Sequence, residues 1–469
     1  VVAMIEYGRD YPNPEADDHV GDPLPDEPKT ELGYANRLVH IYGDRLLYVV
    51  PWRRWLVWDG RRWAHDDSGQ VKRWAKSIAR RITADAMAIG DDAKRKAALN
   101  LARRAESSAG ISGALELAST HEHIAVTPKQ LDADPYLLNV TNGTLDLRTL
   151  QLRPHDPADL LTKLAGAAYD PHAAGTGWDT FLQRVQPDGS MRAFLARLTG
   201  HALEGRVSEH LLPINYGEGA NGKGTFHEVV LHALGDYAAP ADPELLTART
   251  FDAHPTGTAD LFGLRLATLQ ETDSGRRLAE ATVKRLTGGE RLKARRMRED
   301  FWSFDPSHTF MMFTNHKPIV RGTDEGIWRR LRLVPWDVVI PEAERDHDLA
   351  DRLRLEADAV LAWLVDGYRD WRERGLAEPD PVVRATSSYR AESDAVGRFL
   401  EERCLLMTGA HVRSSELFAV WSRWCSAEGE EPGTNKAFTE ALQNRGYDTR
   451  RTKIGAVWQG IGLAAEGDG

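Results

Sequence analysis

Apolar positions between residues 209 and 336 fall into four short runs, LLPINY, LRLATLQ, TFMMFTN and RLRLVPW, separated by stretches with helical spacing. Strand-like runs alternating with helices predict a parallel α/β core. Upstream, RLLYVVPWRRWLVWDGRRWAHD reads as strands closed by an Asp59-Gly60 turn. Its Trp52, Trp55, Trp58 and Trp63 interleave with arginines, which suits either a small packed sheet or a base-stacking platform. Packing is the simpler reading, because alternation alone explains the tryptophans. Residues 71–120 predict a long helical region that is basic at its start, and LLNVTNGTLDLRTLQLRPHD predicts a second hairpin at Asn142-Gly143. Mixed helices run from there to about residue 205.

Beyond the core, residues 348–374 read as helical, and Pro379 with Pro381 marks a linker. Helices over 395–404, 414–427 and 435–445 precede two strand-like pieces in RRTKIGAVWQGIGL. Three helices followed by a β-wing is the order of a winged-helix module.

At 469 residues the chain exceeds what one core usually serves, so two or three domains are expected. With 42% hydrophobic and 28% charged residues it has the composition of a globular protein. The absence of a membrane-length apolar run and of a basic-then-apolar leader points to the cytoplasm. Cys404 and Cys425 lack metal-ligand spacing and read as buried apolar fillers. A net charge of −10 gives no global attraction to nucleic acid, but basic residues are locally clustered. Part of the negative total comes from residues 6–26, rich in Asp, Glu and Pro and expected to be disordered.

The chemistry concentrates in INYGEGANGKGTF, residues 214–226, between the apolar run LLPI and the helix-like run HEVVLHALG. A phosphate-cradling loop needs glycines that let backbone N–H groups turn inward, a lysine for the β- and γ-phosphates, and a hydroxyl for Mg²⁺. Gly217, Gly219, Gly222 and Lys223 supply the first two, with Asn221 inside the loop. Gly224 stands where G-x-x-x-x-G-K-[ST] has its hydroxyl, and Thr225 offers one a residue later. The strand before and the helix after favour an anion site over a glycine-rich turn with a stray lysine. Lys223 is expected to be an exposed point charge that contributes little to packing.

Next, LRLATLQETD ends in Glu271 and Asp273. Glu271 fits the carboxylate that polarises an attacking water and holds hydrated Mg²⁺, at the end of a strand beside the loop. Gln270 occupies the place where many such motors carry a metal-holding Asp. TFMMFTNHKP ends in Asn315, which can bond a γ-phosphate and a lytic water together, or can simply form a turn. DEGIWRRLRLVPW presents Arg329, Arg330 and Arg332, either a basic strand start or, in a ring, an arginine reaching the neighbouring subunit's γ-phosphate.

These motifs in this order, with KRLTGGERLKARRMREDFWSF and GTDEGIWRR between them, resemble the superfamily 3 helicases of phage and plasmid primase-helicases, in the poxvirus-type branch. The resemblance implies an α/β fold: a P-loop, AAA+-like core at 206–378, an α-rich helicase-associated domain at 36–205 and a winged helix at 379–469, behind an acidic tail at 1–35. It implies ATP and Mg²⁺ as cofactors, bound by the loop from Gly217 to Thr225 with Thr225 and Glu271 toward the metal. Lys223, Glu271 and Asn315 would be catalytic, and Arg329 or Arg330 the finger acting in trans. The stretch 292–298 would face DNA in the channel of a ring, expected to be hexameric, through Lys293, Arg295 and Arg296. These three lie between the turn signals Gly288-Gly289 and Glu299-Asp300.

Single-stranded or forked DNA is the implied partner, with no membrane. Relatives often begin with a primase domain. Here the segment before Asn36 is short and acidic, so primer synthesis is expected from another protein or a missing segment. Two rivals stay open. Adenylate kinases also read GKGT, which keeps a nucleotide kinase in view, and an ATP-switched origin-binding or loading protein would use the same loop without unwinding.

Overall fold

The computed structural model describes residues 24–248, 256–271, 276–295, 301–320, 324–452 and 455–464, with Thr256 and Glu271 followed through the backbone only. Helix α1 (Glu31–Tyr42) opens on Thr30, whose hydroxyl accepts the Gly33 N–H. Strands β1 (Leu46–Val49), β2 (Arg54–Trp58) and β3 (Trp63–His65) form a meander. Asp59 Oδ1 tightens its last turn by accepting the N–H groups of Arg61 and Arg62 at 2.9 and 2.8 Å. The expected long helical region is three helices, α2 (Gln70–Met87), α3 (Asp92–Glu106) and α4 (Ser108–Ala118). The breaks fall at Asp91 and Ser107, whose side chains cap α3 and α4.

β4 (Ala125–Val126) joins β1 in parallel and completes the sheet order β3-β2-β1-β4. Trp52 and Trp63 are buried, and Trp55 and Trp58 are half-buried on the same core as α1 and α2, so the tryptophans pack a sheet. Asn142-Gly143 turns β5 (Leu137–Val140) into β6 (Gly143–Asp146), and β7 (Gln151–Arg153) completes a second small sheet. Helices α5 (Thr176–Val185) and α6 (Gly189–Gly200) then lead into the core.

The core runs β8 (Leu212–Tyr216), α7 (Lys223–Leu234), β9 (Ala238–Pro240), α8 (Thr256–Ala259), β10 (Leu266–Glu271) and α9 (Glu280–Leu286). A hairpin of β11 (Leu292–Ala294) and β12 (Trp302–Phe304) follows, then β13 (Thr309–Thr314), α10 (Glu325–Trp328) and β14 (Leu331–Pro335). Five of these strands make one sheet in the order β14-β8-β13-β10-β9, with every neighbouring pair parallel. Parallel strands are buried on both faces, which is why they read as continuous apolar runs. On β13, Phe310 and Met312 enter one core, and Met311 and Phe313 enter the other.

Phe226 of α7 is fully buried among Trp178, Phe313, Trp336 and Trp363, with ring centroids 5.4–6.5 Å away. This aromatic box fixes the helix that starts the glycine-rich loop's far side. Phe226→Ala should cost about 3–5 kcal/mol of stability, seen as a lower midpoint in denaturant unfolding. A shift below about 1 kcal/mol would mean the box collapses onto the cavity without loss.

Helices α11 (Leu349–Arg354) and α12 (Ala357–Arg374) cover the sheet, α12 packing on α6. Pro379 and Pro381, expected to mark a linker, instead open helix α13 (Asp380–Ser393). A proline in the first turn lacks only an N–H that would go unbonded anyway. α13 lies along β14, where Thr386 Oγ1 accepts the Leu333 N–H at 2.9 Å. The last unit is α14 (Ala395–Arg403), β15 (Cys404–Arg413), α15 (Ser414–Glu428), α16 (Asn435–Gln443), β16 (Thr449–Thr452) and β17 (Gly455–Leu463). Its three strands form an antiparallel sheet in the order β15-β17-β16. Cys404 and Cys425 are both buried and free in its core. Among the described residues no helix is long and apolar enough to cross a membrane.

Candidate functional site

Ligands of open parallel sheets bind beyond the carboxyl ends of the strands, and there the glycine-rich loop links β8 to α7. Gly222 is the N-cap of α7 at φ 83°, with no side chain to satisfy the first turn. A Cβ at this position would also sit 2.4 Å from Val185 Cγ1, so the end of α5 supports the loop from below. At Gly217 a Cβ would meet the Trp336 carbonyl at 2.3 Å. The chain after β14 therefore clamps the loop. Trp336 N donates to Tyr216 O at 2.8 Å, Asn221 Nδ2 donates to Trp336 O at 3.0 Å, and Ile340 N donates to Ala220 O at 2.7 Å. Trp336 Nε1 reaches Asn215 Oδ1 at 2.9 Å, tying the clamp to β8. The sequence reading missed this clamp, although a tryptophan one residue past the strand RLRLVP was its visible signal.

Lys223 is 6% exposed, which corrects the expectation of an exposed point charge. Its Nζ donates to Gly217 O at 2.7 Å, Asn221 Oδ1 at 3.2 Å and Asn315 Oδ1 at 3.2 Å. Burial pulls the ammonium down from 10.5 to about 8. Its three partners are neutral oxygens, so among the described residues the cation is desolvated with no carboxylate bonded to it. A buried charge in that condition is completed by an anion. The open N-terminus of α7 adds partial positive charge from the same side.

Glu271 does not end the strand beside the loop, as the sequence reading had it. β13 is inserted between β8 and β10. The register nevertheless lines up three strand ends in one row, since Tyr216 pairs with Thr314 and Thr314 pairs with Glu271. Two strand spacings put the Glu271 backbone ~10 Å from the loop strand, with Asn315 at the end of the strand between them. Asn315 is exposed and bonded to Lys223, so it joins the two halves of the site.

A second feature missed from sequence is His227, buried in α7. It contacts Thr268 Oγ1 at 2.7 Å through Nε2, and Gln270 Nε2 at 2.9 Å through Nδ1. Burial pushes this imidazole down to about 4, so it is neutral and can accept from the Gln270 amide. Thr225 is half-exposed in the first turn of α7, and nothing lies within 4 Å of where a Cβ on Gly224 would point. The donor set fits a hydrated cation better than a bare one. Among the described residues no cluster of three or more His, Cys, Asp or Glu could hold a metal alone.

The two arginines separate. Arg330 is 7% exposed and points inward, its Nε donating to Thr287 Oγ1 at 3.1 Å and its NH1 to Gly326 O at 2.6 Å. Both of these acceptors belong to the protein's own core, and of the two arginines only Arg329 is exposed. Arg332 is bonded to Glu378. Lys293 is exposed and Arg295 half-exposed on the β11–β12 hairpin. Arg450 and Arg451 are exposed on β16. Asp273, Arg296, Glu299, Asp300, Lys453 and the tail before residue 24 lie outside the described residues, as does the side chain of Glu271.

A family described as D5 N terminal like matches residues 35–187, and a family of unknown function, DUF5906, matches residues 215–330. The chain is similar to "Putative helicase L207/L206" of Acanthamoeba polyphaga mimivirus, 27% identical over 58% of this chain and 31% of that protein. It is similar to "Putative helicase 121R" of Invertebrate iridescent virus 3, 24% identical over 70% of this chain and 39% of that protein. A third relative is "Putative primase C962R" of African swine fever virus (isolate Tick/Malawi/Lil 20-1/1983), 28% identical over 63% of this chain and 34% of that protein. The chain thus spans about a third of the length of these relatives. The apo structure of the NrS-1 C-terminal region (305–718) aligns with TM-score 0.49 at 9% identity, over 92% of this chain and 100% of that one.

Proposed function

We propose that this chain, a member of the D5-like primase-helicase family, is an ATP-driven motor that unwinds DNA as a ring. The observation that carries the reading is the buried Lys223, bridged to Asn315 and facing a row of strand ends that includes Glu271. When bound, ATP with Mg²⁺ supplies the scissile phosphoanhydride and its charge screening. The N–H groups at the start of α7 and the Lys223 ammonium would hold the β- and γ-phosphates. Thr225 and Gln270 would bond waters of the cation, the Gln270 amide nitrogen being held by His227. Glu271 would take the proton of the attacking water, and Asn315 would orient that water and exchange Lys223 for phosphate.

DNA would track the β11–β12 hairpin through Lys293 and Arg295. The unit from α14 to β17 has the element order α-β-α-α-β-β, which supports a winged-helix module whose basic strand carries Arg450 and Arg451.

The test is ATP turnover with and without single-stranded DNA. Strong stimulation is expected for the motor. Phosphoryl transfer to a nucleotide would favour a kinase, and binding without turnover an ATP-switched loader. Glu271→Gln should bind ATP at wild-type affinity and lose turnover, because only activation of water is removed. Hydrolysis by Glu271→Gln at the wild-type rate would remove Glu271 from this role.

A further inference from the structure

We infer that the solvent face of the β11–β12 hairpin is a stacking site for a nucleic-acid base, with Phe301 as its platform and Lys293 and Arg295 as the phosphate contacts beside it. The inference rests on the DNA-motor reading and adds a chemical class of contact to it. The hairpin is two-faced. Its register pairs Leu292 with Phe304, Lys293 with Ser303 and Ala294 with Trp302, so side chains alternate between faces. Leu292, Ala294 and Phe304 are buried. Trp302 and Phe304 meet Phe262 edge-on at 5.0 and 5.5 Å, and Trp302 meets Trp52 at 6.0 Å. That inner face anchors the hairpin to both the core and the N-terminal sheet.

Continuing the register by one pair sets Arg295 opposite Phe301, on the outer face with Lys293 and Ser303. Phe301 is 50% exposed, and its ring packs against cations instead of a core. Lys293 Nζ lies 4.5 Å and the Arg295 guanidinium 4.8 Å from its centroid. At an exposed site such cation–π contacts are weak. Both cations can leave the ring for phosphates, and a base can take their place on it. Stacking accepts any base, because every base has a π-face. That tolerance suits a motor that must pass over every sequence.

The experiment uses the full chain and fluorescence anisotropy with two ligands at several salt concentrations. One is an oligothymidylate of roughly 15 nucleotides, and the other is an abasic strand with the same backbone. Wild type should prefer the strand with bases by about tenfold. Phe301→Ala should erase that preference and leave the salt slope unchanged. Phe301→Trp should keep the preference and show tryptophan quenching on binding. Replacing Lys293 and Arg295 with alanine should flatten the salt slope by roughly one per phosphate contact and keep the preference. If Phe301→Ala retains the base preference, or weakens both ligands equally, the stacking site is overturned. If wild type binds neither strand, the DNA reading itself fails and the inference falls with it.

Discussion

Lys223→Met is expected to reduce ATP turnover by at least ~10² to 10³-fold, the loss seen when one preorganised charge-stabilising donor is removed, while the melting curve stays close to wild type. The prediction follows from the place of the ammonium. It is buried, bonded among the described residues only to Gly217, Asn221 and Asn315, and lowered to about 8 by burial. In the absence of an anion the charge is a cost to the fold, so its loss should not unfold the protein. Methionine retains most of the aliphatic stem and avoids a cavity, and of the three residues whose oxygens are freed Asn315 is exposed to water. Lys223→Ala should lose turnover equally, with a somewhat larger stability cost because the stem is gone. Asn315→Ala is the control on the coupling: it leaves the cation in place but releases one tether, so turnover should fall while ATP affinity is nearly kept. Turnover within tenfold of wild type in Lys223→Met would remove the loop from phosphate chemistry. A collapsed melting curve would make the lysine structural.

The sequence made the strands and the loop legible because both depend on local pattern. LLPINY and TFMMFTN send apolar side chains to both faces of the sheet and are therefore mostly apolar, and glycines with a lysine between a strand and a helix have one common use. Strand order is not local. β13 comes late in the chain yet inserts between β8 and β10, and this long-range choice moves Glu271 one strand farther from the loop. The same limit applies to Lys223, whose burial is created by Trp336 and Asn315 from distant segments. β15 escaped detection because its pairing with β17 shifts between Leu406 and His411, which breaks the period of two. Arg329 and Arg330 are indistinguishable as letters. Only the acceptors at Thr287 and Gly326 show which one faces inward.

That difference defines the assembly experiment, in which two inactive variants are expected to restore ATPase activity when mixed. Arg329 precedes β14 at its amino end, where Leu331 pairs with Leu212, while the loop begins past the carboxyl end, where Pro335 pairs with Tyr216. The strand between them spans ~13 Å, more than an arginine side chain covers, so Arg329 cannot serve its own loop. If it is a finger, it serves a neighbour's. A Lys223→Ala chain then still offers a good finger, and an Arg329→Ala chain still offers a good loop, so mixed rings contain some complete interfaces. A finger arginine contributes ~10³ to 10⁵ in rate, and even a minority of repaired interfaces should be measurable. Recovery should rise with total protein concentration, because the ring must form first. Arg330→Ala should behave differently, lowering the melting midpoint through the lost bonds to Thr287 and Gly326, with no recovery on mixing. No recovery with Arg329→Ala at any ratio, in a mixture shown to co-assemble, would remove the shared site and leave Arg329 as a DNA contact or a surface charge.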